Sequence, residues 1–399
     1  MAAARTVIIA GAGIGGLTAA LALAQRGFAV TLLEAAERLE EVGAGLQLSP
    51  NAARVLTALG VAERLKPHVV VPEHLVVRNA RSGRLLAQGP LGATSAQRYG
   101  APYWVIHRGD LQAVLCEAVA ATPSIALRLG SKVESFTAEP DDVAVSTSHG
   151  SQPLAARAHA LIAADGLWST LRQQLGHTTA PRPAGQTAWR TLVPTEAAPK
   201  SAALPAVNLW LGANSHLVHY PVKSGRMINV VAIVDDDWRE PGWSTAGEPR
   251  KLLDRFSAEQ WHASARDLLA AAERWQKWAL FDCPPLSSWG KGRITLLGDA
   301  AHPMLPYLAQ GAAMAIEDAA VLAACLERNP VVPAALRTYE ASRLPRTTRV
   351  QHDASRNGTV YHLRGAAAAL RSLALMAFGG DRLIRRYDWL YGWTLVERI

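Results

Sequence analysis

The sequence predicts an α/β fold in which a mostly β-sheet domain is inserted into a second domain and the C-terminal end is helical. Near the start, the apolar run Thr6 to Ala10 leads into Gly11-x-Gly13-x-x-Gly16 and then an amphipathic helix. Far along the chain, a second apolar run, Arg293 to Leu297, ends in Gly298-Asp299. Between them the pattern switches twice to short, tryptophan-rich, strand-like runs. Together these observations describe a Rossmann-like three-layer domain, discontinuous in sequence, that holds a long cofactor at both ends.

Residues 6 to 34 read as a β-α-β unit, with Leu17, Ala20, Leu21 and Ala24 on one helix face and Gly27 just past the helix end. Phe28 to Leu33 is the second strand, ending at Glu34. Ser49-Pro50-Asn51 has the form of an N-cap with proline at the first helical position; Val55, Leu56 and Leu59 form a face, and Gly60 ends the helix. Residues 73 to 99 carry strand-like runs such as His74 to Val77, broken by Arg81-Ser82-Gly83.

After Tyr103 to Ile106 comes a helix with Leu111, Val114, Leu115, Ala118 and Val119 inward, and alternating runs then lead to Leu161-Ile162-Ala163-Ala164-Asp165-Gly166. From 182 to about 280 strands dominate, with Trp189, Trp210, Trp238, Trp243, Trp261, Trp275 and Trp278. Ala312 to Leu326 is a long helix, and the remainder is helical and basic with an aromatic tail of Tyr387, Trp389, Tyr391 and Trp393. The expected division is 1–72, 100–180 and 278–360 for the cofactor domain, 73–99 and 181–277 for the inserted sheet domain, and 361–399 for a helical end.

Composition removes several classes. The N-terminal apolar run is too short for a secretory signal and runs straight into a glycine turn. No stretch has the roughly 18 apolar residues of a membrane span; the longest candidate, Gly365 to Phe378, is interrupted by Arg371. Cys116, Cys283 and Cys325 are scattered and lack metal-ligand spacing, which fits a reducing cytoplasm and predicts no metal site. The net charge of +8 is diffuse, without a basic cluster interleaved with aromatics, so it suits an anionic small molecule better than nucleic acid.

Chemistry concentrates at a few positions. Gly11 and Gly13 let the backbone turn tightly beside a pyrophosphate, and Gly16 lets the helix pack on the strand. The helix N-terminus offers free N–H groups to phosphates. Glu34 is placed to accept hydrogen bonds from an adenosine ribose. Arg108, between a strand and a helix, suits phosphate or ribose oxygens. Asp165-Gly166 ends another strand, where ligands collect in open α/β sheets. Asp299 is placed to bind a ribityl hydroxyl; Pro303 shapes the loop that follows. The helix starting near Gly311 and Ala312 directs its positive end at a flavin's pyrimidine edge. The cofactor these expectations fit is FAD.

Gly11-x-Gly13-x-x-Gly16, Arg108, Asp165-Gly166 and Gly298-Asp299 resemble, in order, the motifs of the single-component FAD-dependent aromatic hydroxylases. The branch most similar contains salicylate hydroxylase, 3-hydroxybenzoate 6-hydroxylase and 6-hydroxynicotinate 3-monooxygenase. Gly43-Ala-Gly45, Pro50-Asn51-Ala52, Tyr220-Pro221 and the segment from Gly298 to Ala312 resemble that branch as well. The resemblance extends to about residue 360. It implies FAD reduced by NADH or NADPH, O2 adding at flavin C4a, and hydroxyl transfer from the resulting hydroperoxide to a small phenol or hydroxy-N-heteroaromatic, often carboxylated. It implies no separate nicotinamide domain, and it is compatible with a monomer or a homodimer; the diffuse charge argues against a nucleic-acid partner. An oxidase, dehydrogenase or epoxidase on the same scaffold, and a flavin-binding redox sensor, are the alternatives.

Hydroxylation needs an electron-rich ring, so a phenol must lose or share its proton, and histidine is the side chain most readily tuned for that. His216 and Tyr220 resemble the His and Tyr used by several relatives. Four apart on a strand, they share a face, with His219 on the other. They are the catalytic candidates; the alternative is that all three pack. Gln47, Arg190 and Tyr307 are candidates for lining the substrate pocket. Arg190 would hold a carboxylate or bridge domains. Gln47 stands where relatives carry His, and Pro306 where some carry a catalytic glutamine. His302 is expected to be structural.

Overall fold

The computed structural model describes residues 5–39, 44–149, 152–240 and 245–395, so Gly43 and Trp243 lie outside the described residues. The first sheet has the strand order Gly290–Lys291, Ile294–Leu296, Ala160–Ala163, Thr6–Ala10, Ala29–Leu33 and Ile125–Arg128. Every neighbouring pair is parallel except the first. Helix Ile14–Ala24 covers one face, flanked by Gly311–Arg328 and Arg108–Ala120. An antiparallel three-stranded sheet, Ser131–Ala138, Val143–His149 and Gln152–Ala158, supplies the third layer, its Val143, Val145 and Ala158 joining the same core as Val7, Ile8 and Ile9. Strands covered on both faces read as unbroken apolar runs, as Thr6–Ala10 does.

The helix sits on the first strand because Gly16 lacks a side chain. A Cβ there would lie 1.9 Å from the Gly11 carbonyl oxygen, and Gly11 itself has φ +105°. Helix Gly311–Arg328 is held by a buried ionic cluster. Arg343 pairs with Glu317 and Asp318 at 2.7 Å each, and Arg346 pairs with Glu317 at 2.7 Å. Asp318 also accepts from His302 Nε2 at 2.5 Å and from the Gly298 N–H at 3.2 Å. The cluster therefore fixes the Gly298-Asp299 turn against the helix that follows it, and His302 is a structural member of it.

Ser49 sits at the expected N-cap position ahead of Pro50, but its hydroxyl does not cap the helix. It donates to Asn51 Oδ1 at 2.6 Å and accepts from Gln310 Nε2 at 2.9 Å, while Asn51 reaches Glu317. The demands of this buried polar network outweigh the local cap.

The second large sheet has eight strands in the order Thr245–Gly247, Trp275–Asp282, Arg182–Pro194, Met227–Asp235, Ser215–Val222, Ala206–Leu211, His74–Asn79 and Leu85–Pro90. Its strand Trp275–Asp282 runs past residue 278 without a break. One face is closed by two helices the strand-like pattern did not suggest, Pro249–Arg255 and Ala263–Ala270. Phe256, Trp261, Leu268 and Leu269 pack there on Trp189, Trp210, Leu217 and Val230. A third such helix, Gly92–Tyr99, ends at Gly100 in the left-handed conformation. The other face of the sheet turns towards the parallel-sheet domain.

The chain finishes with helices Val332–Tyr361, Gly365–Phe378, Gly380–Arg385 and Asp388–Tyr391. The aromatic tail packs inward: Tyr391 meets Tyr99 and Tyr103 edge-on, and Arg346 lies over the Trp389 and Trp393 rings. Among the described residues no helix is long and apolar enough to cross a membrane.

Candidate active site

A cavity of about 430 Å³ lies between the two large sheets. One end is made of backbone. Gly13, Ile14 and Gly15 line it, and so do Gly311 and Ala312 at the start of the second long helix. The first N–H groups of both helices have no intrahelical partner, and neither helix carries an acidic residue in its first turn. Both positive helix ends therefore border one space.

The remaining candidates at this end are placed in two ways. Arg108, Asp299 and Pro303 line the cavity directly. Burial lowers the Arg108 guanidinium, with Asp299 opposing; burial raises the Asp299 carboxyl, with His302 and Arg108 opposing. Gly11, Gly16, Glu34 and Asp165 are not among the lining residues and sit behind them. Glu34 accepts from the N–H groups of Ala12 at 2.7 Å and Ala36 at 2.9 Å, bracing the glycine loop. Asp165 accepts from Ser169 Oγ at 2.6 Å and from the Leu171 N–H at 3.3 Å, shaping the turn behind Gly11.

The other end is made of side chains. On strand Ser215–Val222, His216, Val218 and Tyr220 face the cavity, while Leu217 and His219 face the helix-covered side. Register carries that face across the sheet. His216 is level with Ile233 and Ala188, Val218 with Val231 and Arg190, and Tyr220 with Asn229 and Leu192. Arg190 thus stands two strands, roughly 10 Å, from the His216–Tyr220 strand, with Val231 between.

Arg190 stacks on Trp278 with its guanidinium carbon 3.6 Å from a ring centroid, and no carboxylate pairs with it among the described residues. Burial pushes it down to about 9, which leaves it charged at neutral pH. Tyr220 is raised well above the ordinary phenol range by burial and stays protonated. Gln47 hydrogen-bonds the Tyr220 hydroxyl and accepts from Tyr103 Oη at 2.7 Å, so the sharing amide leaves the Tyr220 proton available. A Cβ on Gly45 would lie 2.5 Å from the Tyr220 ring, which explains a glycine beneath it.

His216 is buried, and its pKa is lowered well below the usual imidazole range by burial and by His362. Its Nδ1 lies 2.8 Å from His362 Nε2. Tyr307 is a wall rather than a lining residue. Its hydroxyl donates to Gln186 Oε1, and its ring packs on His216 with centroids 5.5 Å apart. Sequence reasoning missed His362, Trp278 and Tyr103. Only sheet register and the return of the last long helix bring them here, and no local motif marks them.

The cavity fits an elongated nucleotide. A side chain at Gly13 would meet no protein atom within 4 Å, so the loop borders open space, not a packed neighbour. A cation and an acid, Arg108 and Asp299, face that space between the two helix ends. Such an arrangement defines a flavin-nucleotide-binding protein, and comparison with known proteins gives its family. The chain belongs to the FAD-binding-domain family, whose pattern matches residues 4–354. It is 37% identical over 393 residues to 3-hydroxybenzoate 6-hydroxylase 1 of Aquipseudomonas alcaligenes, covering 98% of each chain. Its fold is similar to that of Klebsiella pneumoniae HpxO complexed with FAD and uric acid, with TM-score 0.85, 27% identity, and 97% and 96% of the two chains covered. It is similar as well to a salicylate hydroxylase substrate complex, with TM-score 0.82, 27% identity, and 98% and 96% covered.

Proposed function

We propose that this protein is an FAD-dependent monooxygenase that hydroxylates a small carboxylated phenol or hydroxy-N-heteroaromatic, using NADH or NADPH and O2. The observation that carries the reading is a cavity with an FAD-type cradle at one end and, at the other, a neutral histidine and a guanidinium that no carboxylate pairs among the described residues. In this reading the parallel-sheet domain holds the cofactor and the eight-stranded sheet holds the substrate. The scattered, unbridged cysteines among the described residues fit a cytoplasmic enzyme.

Bound FAD would supply the electrophilic oxygen at the expense of the pyridine nucleotide and O2. The chain's own residues prepare the ring. Gly11, Gly13 and Gly16 shape the pyrophosphate turn that Glu34 and Asp165 brace. Arg108 and Asp299 would hold phosphate and ribityl oxygens, and the helix start at Gly311 and Ala312, with Pro303, would offer its positive end to the flavin. Arg190 receives the substrate carboxylate by a charge-assisted pair that replaces lost solvation. His216 accepts the phenol proton at Nε2, and Tyr220 donates a hydrogen bond to a substrate oxygen. Trp278, Val218 and Val231 give the ring an apolar bed that excludes water.

The test is NADH and NADPH oxidation by the FAD-loaded protein with a panel of phenolic acids and hydroxypyridines, assayed for peroxide and product. Ligand-stimulated oxidation with oxygen incorporated into product is expected. Anaerobic reduction of an acceptor without oxygen incorporation would make it a dehydrogenase, and tight FAD with negligible turnover would make it a sensor.

A further inference from the structure

His216 does not end at its own ring. Its Nδ1 is 2.8 Å from His362 Nε2, and His362 Nδ1 is 2.7 Å from Asp235 Oδ1. His216 lines the main cavity, whereas His362 and Asp235 line a second cleft with Arg182, Asp282 and Arg364. The Asp235 side chain is 44% exposed there, against 7% for His362. A continuous chain of three ionisable groups thus runs through the wall between the cavity and the outside.

We propose that His216, His362 and Asp235 form a proton relay that carries the substrate's hydroxyl proton from the cavity to water in the second cleft. The inference rests on His216 acting as the base in the reading above. Donor and acceptor order follows from the end of the chain. The Asp235 carboxylate only accepts, so His362 carries its proton on Nδ1 and accepts on Nε2. His216 therefore donates from Nδ1, and its Nε2 lone pair is left for the cavity.

Proton transfer then balances. The phenol O–H bond breaks and an Nε2–H bond forms on His216. The Nδ1 proton of His216 moves to His362 Nε2, the Nδ1 proton of His362 moves to Asp235, and Asp235 releases one proton to water. The reverse passage, when the product oxygen is reprotonated, restores both tautomers. A buried imidazole that is reluctant to stay charged needs such an outlet. Gln186 steadies the junction, donating to Asp235 Oδ1 at 3.2 Å and standing 3.3 Å from His362 Nδ1. Other charged or titratable groups around it are Arg371, whose charge acts on His362, and the rings of Tyr307 and Tyr361, which pack on His216.

The experiment uses the FAD-loaded protein and 3-hydroxy-4-nitrobenzoate, a carboxylated phenol whose anion absorbs visibly. Binding is followed by stopped flow in weak buffer below the probe's free pKa, with a pH indicator for released protons. Wild type should bind the probe, ionise it and release a proton. Asp235→Asn and His362→Gln should keep FAD and probe affinity but ionise the probe about tenfold or more slowly. Formate or imidazole should restore the rate, a rescue that a purely structural role would not show. Ionisation at the wild-type rate in both variants, with loss in His216→Ala, would leave the base in place and remove the relay. Failure of the wild type to bind or ionise the probe would remove the phenol-base reading and the relay with it.

Discussion

Backbone of two helix ends, flanked by Arg108 and Asp299, walls the cofactor end of the cavity, and side chains wall the substrate end. At the first, helix N–H donors and a glycine loop line the cavity beside Arg108 and Asp299, braced from behind by Glu34, Asp165 and the Asp318 cluster. At the second, Arg190, His216 and Tyr220 project from separate positions of one sheet, each shifted by burial from its ordinary pKa. Backbone donors carry fixed partial charges that no substitution removes directly, so this end binds one invariant chemical group. Sheet side chains can be exchanged one at a time without disturbing the ladder. The substrate end is therefore where chemistry and selectivity can diverge on a constant frame.

The sharpest way to break this contrast is to put a side chain where the backbone end has none. Gly16→Ala places a methyl 1.9 Å from the Gly11 carbonyl oxygen, and neither backbone segment has room to yield. The loop must open, at a cost of about 1–3 kcal/mol, and the purified protein should emerge without FAD. The visible absorbance of the purified variant checks this, and wild-type flavin content would show that the loop does not shape the cradle. His216→Ala tests the opposite end. Product formation should fall by about 10²–10⁴ with FAD content unchanged, measured as product per flavin. A variant that loses flavin but hydroxylates normally per bound FAD would reverse the assignment.

The same contrast explains what could be read from the residues alone. The cofactor end is built from contiguous segments, Gly11 to Gly16 and Gly298 to Ala312, whose spacing is the geometry, and these were legible. The shared face of His216 and Tyr220 was legible too, because alternation along one strand is a local property. What escaped depends on contacts between distant segments. Trp278 meets Arg190 through strand pairing, and His362 meets His216 because the last long helix returns to the sheet. Ser49 looked like a helix cap but joined a network reaching Gln310 and Glu317. The helices over Phe256 and Trp261 were hidden among tryptophans that read equally well as strand residues.

A smaller effect is expected at Arg190, where only part of the binding energy is at stake. Arg190→Met keeps an unbranched apolar side chain beside Trp278 and removes the charged group that stacks on it. For a carboxylated phenol the KM should rise about tenfold to a hundredfold, the loss of a hydrogen bond to a charged group, with kcat changed much less. The uncarboxylated phenol serves as the control and should show little change. Steady-state kinetics on the matched pair decides the point. Equal losses for both compounds would mean that Arg190 supports the fold of the sheet rather than the carboxylate.

The smallest effect concerns the two histidines on one strand. His219 faces the helix-covered side, accepts from Trp210 Nε1 at 3.1 Å, and is pushed down to about 3 by burial and by Arg78. In the unfolded chain its pKa is about 6.5. Between these values the unfolded state binds the extra proton, so stability falls as pH drops through the unfolded pKa, by up to about 1.4 kcal/mol per pH unit. At pH 5 the loss from this residue is about 2 kcal/mol relative to pH 7.5. His219→Gln retains an acceptor for Trp210 but cannot titrate. Denaturant unfolding of this variant should therefore show a shallower acid limb, with hydroxylation unaffected because the residue faces away from the cavity. An unchanged acid limb would place the pH sensitivity on the hydrogen-bonded imidazoles of His216 and His362, on the other side of the sheet.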